Sequence, residues 1–188
     1  MSKTTTRRSS KQLWFALGVI VVTVISLSLF IYGPQNLVNT VGESSSYLAV
    51  FVIAAVGIVS TLTGPIFYST LTALSSTDLN PLLLGFSAGF GLLISDSIFF
   101  YLAHLGRDSV SKRFKKIVDK LKNLIHRAPD PLVFLISYTW FGFSPLPNDL
   151  LMITLVAGDY SYKQIGPIIL VGNLTLTLII AYLGTTLF

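Results

Sequence analysis

The chain contains no cysteine, which excludes disulfides, thiolate catalysis and cysteine-ligated metal sites. It has two histidines, His104 and His126, too far apart in different surroundings to be a metal-ligating pair. Charge is scarce as well: Lys, Arg, Asp and Glu make up 11% of 188 residues, against about 25% in soluble domains. A water-facing surface cannot be covered this thinly when long stretches carry no charge at all. Soluble enzymes, nucleic-acid-binding domains and disordered chains are therefore excluded. There is no Gly-rich phosphate loop followed by Lys and Ser or Thr, and no serine elbow. No enzymatic activity, metal or cofactor is expected.

What the chain has in abundance is apolar surface, with 52% hydrophobic residues and a mean hydropathy of +0.73. That composition reads as an integral membrane protein. The net charge of +5 lies beside apolar segments, which suits the positive-inside rule and anionic lipid better than nucleic acid.

Residues 1–11 form a basic tail with Lys3, Arg7, Arg8 and Lys11. The uncharged run 12–32, bracketed by Trp14 and Tyr32, is long enough to cross a bilayer, which takes about 20 residues. A cleaved signal peptide is the competing reading, but the apolar core is long and no small-x-small site precedes Gly33-Pro34. Four basic residues place the N-terminus in the cytoplasm.

Residues 44–77 carry no charge over 34 positions, awkward for one span or for two. Gly64-Pro65, with Thr61, Thr63 and Tyr68 around it, breaks any helix in the middle. Such a break is tolerated in hydrocarbon only where protein or a water-filled cavity surrounds the backbone. The expectation is a re-entrant hairpin. Residues 82–104 then form a span interrupted only by Asp96, and its Gly85, Gly89 and Gly91 include a G-x-x-x-G interval suited to close helix packing.

Residues 106–130 hold eight Lys and Arg, among them Lys112, Arg113, Lys115, Lys116, Lys120 and Lys122. Apolar residues recur there at helical spacing, as in an amphipathic helix lying on an anionic leaflet; a solvated cytoplasmic connector is the alternative. Residues 131–158 repeat the hairpin pattern around the polar tip Ser144-Pro145-Leu146-Pro147-Asn148-Asp149, with Gly158 near the close. The uncharged run 164–187 is the last span.

Charge placement decides between hairpin and crossing. If 44–77 crossed once, the basic segment would lie outside; if it dips and returns, 106–130 is cytoplasmic. The fold class expected is an all-α, multi-pass protein of the cell membrane. It comprises an N-terminal span, then an inverted repeat of hairpin plus span, with the basic helix between repeats.

Asp96 and Asp149 are the informative residues. A carboxylate in an apolar segment has to face protein, water or a partner. No Lys or Arg accompanies either within the apolar runs, so protonation coupled to transport is one reading, with protons as a partner. The structural reading is that Asp149 serves the start of a half-helix and that Asp96 bonds a neighbouring Ser, Thr or backbone group. Asn173 lines the same cavity or bonds between helices, and His104 is read as interfacial.

These residues resemble the DedA/VTT superfamily, the SNARE-associated Golgi protein family, over roughly 45–188. The resemblance rests on Pro145-Leu146-Pro147-Asn148-Asp149-Leu150 followed by Ala157-Gly158. It also rests on Gly85, Gly89 and Gly91 leading to Asp96 and then Gly106-Arg107, and on the basic segment between the units. Gly142 and Asn148 stand where the bacterial DedA branch has arginines. Ser60, Thr61 and Thr63 stand where it has a glutamate, which makes the divergent VTT branch the nearer likeness. The resemblance implies movement of phospholipids or polyprenyl-phosphate carriers between leaflets, with anionic or zwitterionic head groups as partners. Ion-coupled solute transport and a membrane assembly role remain the alternatives, and the sequence leaves a homo-oligomer open.

Overall fold

The computed structural model describes residues 34–57, 64–106, 120, 122–123, 125, 127–144 and 148–187. The expected N-terminal span at 12–32, most of the basic segment, Thr61, Thr63, Pro145 and Pro147 lie outside them. Among the described residues there are seven helices and no strand. They are α1 (Pro34–Val41), α2 (Glu43–Gly57), α3 (Gly64–Ser75), α4 (Pro81–Gly106), α5 (Asp130–Phe143), α6 (Asp149–Ala157) and α7 (Tyr162–Leu187). Two of them, α4 and α7, are long and apolar enough to cross a membrane. Each has 26 residues, or about 39 Å at 1.5 Å per residue.

The helix boundaries follow local chemistry. The short helix α1, which hydropathy does not announce, opens on Pro34 and ends at Gly42. Gly42 adopts φ +84, and its N–H donates to the Val38 carbonyl at 2.8 Å. Asn80 starts α4: its Oδ1 accepts the N–H groups of Leu82 and Leu83 at 2.9 and 3.3 Å, with Pro81 at the first helical position. Ser161 and Gln164 start α7, where the Gln164 Oε1 accepts both the Ser161 N–H and its hydroxyl.

The centre of the bundle is the pairing of α4 with α7, which run antiparallel. Gly85 and Gly89 make it close. A Cβ on Gly85 would stand 3.0 Å from the Leu178 Cα, and one on Gly89 3.2 Å from the Leu174 Cα. Thr177 of α7 donates to the Gly85 carbonyl across this seam at 2.8 Å. Small residues at that interval let the backbones approach as membrane helices do.

The shorter helices flank this pair. α2 runs parallel to α4: Tyr47 accepts the Asn80 N–H at 2.8 Å near both starts, and further along Gly91 lies against Phe51 and Ala54. α3 returns the chain and packs on α7, where Gly184 abuts Ser75. The second half follows the same plan. α5 runs parallel to α7, with Gly142 against Thr175 and Gly172, and α6 packs on α4. The starts of α2 and α4 and the ends of α3 and α7 therefore share one end of the bundle. The starts of α5 and α7 and the ends of α4 and α6 share the other.

Two apolar clusters fill the interior. One gathers Ile53, Phe67, Leu71, Leu84 and Leu92 from α2, α3 and α4; the other gathers Phe100, Phe141, Met152, Leu155 and Ile169 from α4 to α7. The outward faces are also apolar, as Leu48, Phe90, Ile98, Leu135 and Leu183 are all exposed. A soluble surface would not be built this way.

Candidate functional site

Among the described residues Asp96 is the buried carboxylate, 3% exposed on the α4 face that meets α6 and α7. Its side-chain partners are two amides, where the structural alternative drawn from the sequence had Ser, Thr or backbone groups. Asn173 of α7 donates to Oδ2 at 2.8 Å. Asn148, just before α6, donates to Oδ2 at 3.2 Å and to Oδ1 at 3.5 Å. Both donors are neutral. No Lys or Arg lies in α4 or α6, and α7 has only Lys163 in its first turn.

Asn173 is 1% exposed, and its Oδ1 has no hydrogen-bond partner. A buried carbonyl with free lone pairs beside a carboxylate makes an acceptor-rich cluster, whose chemistry suits a cation, a proton or a donor group. Two other ionisable groups lie close enough to feel the Asp96 charge: Asp149 at the start of α6 and Tyr68 in α3. Helices α3 and α6 thus each bring an ionisable group toward Asp96.

Of the remaining residues expected at a site, Gly64 starts α3 with only the Tyr68 ring 4.0 Å from where its Cβ would be. Pro65 belongs to the same first turn. Gly85 and Gly89 lie in the α4–α7 seam and Gly91 against α2, so they serve packing. Gly158 closes α6, where a Cβ would meet the Ile125 side chain at 2.9 Å. Lys122 does not point away from the bundle: it pairs with Asp159 at 3.1 Å, beside the α6–α7 turn. Asp159 holds φ +65 there, a conformation that Asp tolerates better than most residues. Lys120 and His104 are exposed.

A second feature was not legible in the sequence. A cavity of about 210 Å³ lies between α5 and α6, reached also by Ile125 and Ala128. The Ser137 hydroxyl and the Trp140 indole N–H, both on residues lining it, are buried without a partner.

No family model, curated protein or solved structure matches the chain. The site has to be read from its own chemistry.

Proposed function

We propose that the chain moves lipid between the leaflets of a membrane, through a polar pocket built where two re-entrant hairpins meet. On this reading α4 and α7 cross the bilayer. The pairs α2–α3 and α5–α6 enter from opposite faces as an inverted repeat, and the chain is a divergent member of the DedA/VTT superfamily. The short helices fit: α2, the longest of the four, has 15 residues, about 22 Å, and the hydrocarbon core is about 30 Å thick. Broken helices of this kind are stable in lipid only where protein or a wet cavity covers their tips.

The observation that carries the reading is Asp96, buried with Asn148 and Asn173 as its donors and an unpartnered carbonyl beside it. An intramembrane carboxylate without a basic partner is maintained for function more readily than for stability. Its sign favours a head group with a cationic end, such as the ammonium of a zwitterionic phospholipid. The phosphate of that head group would lie toward the start of α6, where free N–H groups and the helix dipole favour an anion. The acyl chains stay in the bilayer, along the exposed apolar faces.

The test is transfer of fluorescent phospholipid in liposomes holding the purified protein. Movement well above that of empty vesicles, lost in Asp96→Asn, is expected; none above empty vesicles across several head groups overturns the reading. The Asn173 carbonyl favours a second reading, ion-coupled transport of a small solute, in which the same pocket holds a cation. Charge movement in solid-supported electrophysiology, without lipid transfer, would select it.

A further inference from the structure

We infer that the helical residues just before α5 form a strap over the α6–α7 turn, and that anionic lipid at this end of the bundle releases it. The inference rests on the membrane reading proposed above and adds a regulation to it. Lys122 and Ile125 are one helical turn apart, and Ala128, whose N–H donates to the Ile125 carbonyl at 3.1 Å, follows one turn later. That face meets the bundle. The Lys122 Nζ pairs with the Asp159 carboxylate at 3.1 Å. Ile125 packs on the cluster of Phe141, Met152 and Leu155, and its Cγ2 lies 2.9 Å from where a Cβ on Gly158 would stand. The missing side chain at Gly158 is therefore the notch that receives Ile125. The chain grips the same turn again at the start of α5, where Asp130 accepts from the Tyr160 hydroxyl at 2.7 Å.

Charge decides what releases the strap. Its outward residues Lys120, Asn123 and Arg127 are exposed. Among the described residues this end also carries the exposed Lys163, whereas Glu43 and Asp78 lie at the other end. The basic surplus selects an anionic surface as partner. The Lys122 and Asp159 side chains are 33% and 51% exposed, and an exposed pair contributes little. A lysine beside an anionic leaflet gains a comparable attraction. Lys122 cannot make both contacts at full strength, because the docked lysine is neutralised and Asp159 repels a phosphate. Lipid phosphate therefore favours the released strap over the docked one. Such a difference is what a ligand needs to shift an equilibrium.

The chain has no cysteine, so one introduced thiol reports alone. Leu155→Cys places it in the buried cleft wall shared with Ile125. The readout is its rate of reaction with N-ethylmaleimide in nanodiscs of phosphatidylcholine, with and without phosphatidylglycerol. Labelling about fivefold faster in the anionic discs is expected, as one lysine drawn to an anionic surface gives. Adding Asp159→Asn, which unpairs Lys122, should give the fast rate in both lipids. So should Gly158→Ala, which evicts Ile125 without changing charge. Leu71→Cys, buried in α3, should label slowly throughout, which separates release of the strap from general loosening. Hydrogen exchange at 158–160 in the unmodified chain reads the same release without any cysteine. A rate indifferent to lipid charge, or a lipid response that survives Asp159→Asn, overturns the inference. Lipid transfer with no labelling response removes the strap and leaves translocation, whereas a response with no transfer does the reverse.

Discussion

The two hairpin regions have nearly the same hydropathy and the same helical plan, yet they satisfy their polar atoms differently. In the first, Ser46, Thr72 and Ser75 each donate to a carbonyl three or four residues back. Gly91 lets α2 press its backbone onto α4. In the second, Thr139 and Thr154 donate likewise, but Ser137 has no such bond, the Trp140 N–H is unpaired and a cleft separates α5 from α6. Asp96 draws its donors from the start of α6 and from α7. Similar apolarity therefore accommodates two kinds of interior: among the described residues, α2 and α3 pack tightly on the spans, and α5 and α6 leave buried donors unsatisfied.

The comparison breaks most visibly at Asp96. Asp96→Asn keeps the volume and one acceptor oxygen for the Asn148 and Asn173 donors, but it removes the charge and turns the other oxygen into a donor. Hydrogen bonds to a charged group are worth about 1.5–3 kcal/mol, so lipid transfer should fall about tenfold or more. Glu43→Gln, at an exposed carboxylate of the first region, should leave transfer unchanged. Equal losses in both variants would erase the distinction between the two regions.

Packing gives the next largest effect. A Cβ at Gly91 would strike the Phe51 carbonyl, which belongs to backbone and cannot swing aside. Gly91→Ala should therefore destabilise by about 1–3 kcal/mol, the usual range for overpacking, read as a lower unfolding midpoint in detergent. Gly142→Ala, in the second region, meets the Thr175 side chain at 3.5 Å and the Gly172 Cα at 3.7 Å, both ordinary contacts, and should stay within about 0.5 kcal/mol. A reversed order would mean that the second hairpin, not the first, is the rigid one.

The seam between the regions is a smaller lever. Thr177→Val removes the bond to the Gly85 carbonyl while keeping the shape. Interhelical bonds of this kind average about 0.6 kcal/mol in membranes, so a small drop in the unfolding midpoint is expected, with transfer intact.

How much of this was legible in advance depends on sequence distance. The expected spans 82–104 and 164–187 fall within α4 and α7, because uncharged runs of that length leave few alternatives. Gly64-Pro65 and the Pro145–Pro147 tip marked where helices would break. The helix Pro34–Val41 was missed because Gln35, Asn36, Asn39 and Thr40 hide it from hydropathy; Pro34 and Gly42 were the available signals. Asp96 stood out as a lone carboxylate in an apolar run. Asn148 and Asn173 were also candidates, but their pairing with Asp96 was not legible, since they lie 52 and 77 residues away and such pairings emerge only from packing. The Ser137–Trp140 cleft was invisible for the same reason, since an unpaired donor is a property of its surroundings.

The smallest effect concerns how each first half-helix is tied to the span beside it. In the first region Tyr47 accepts the Asn80 backbone N–H. In the second, Tyr160 donates to the Asp130 carboxylate at 2.7 Å, joining the start of α5 to the turn before α7. Only the second tie depends on a proton. Partial burial, then the bond to Asp130 and its charge, push the Tyr160 phenol from the ordinary value near 10 up to about 12. A folded-state pKa above the unfolded one means that the folded chain holds the proton longer. The stabilisation is thus complete below pH 10 and is lost as the pH rises through about 12. Because the site is peripheral, the wild type should exceed Tyr160→Phe by less than about 1 kcal/mol at pH 9, with the gap closing toward pH 12. Unfolding midpoints of the two proteins across that interval measure it directly. A gap that stays constant with pH would show that Tyr160 contributes only its ring, packed against Phe134, and that neither tie distinguishes the two regions.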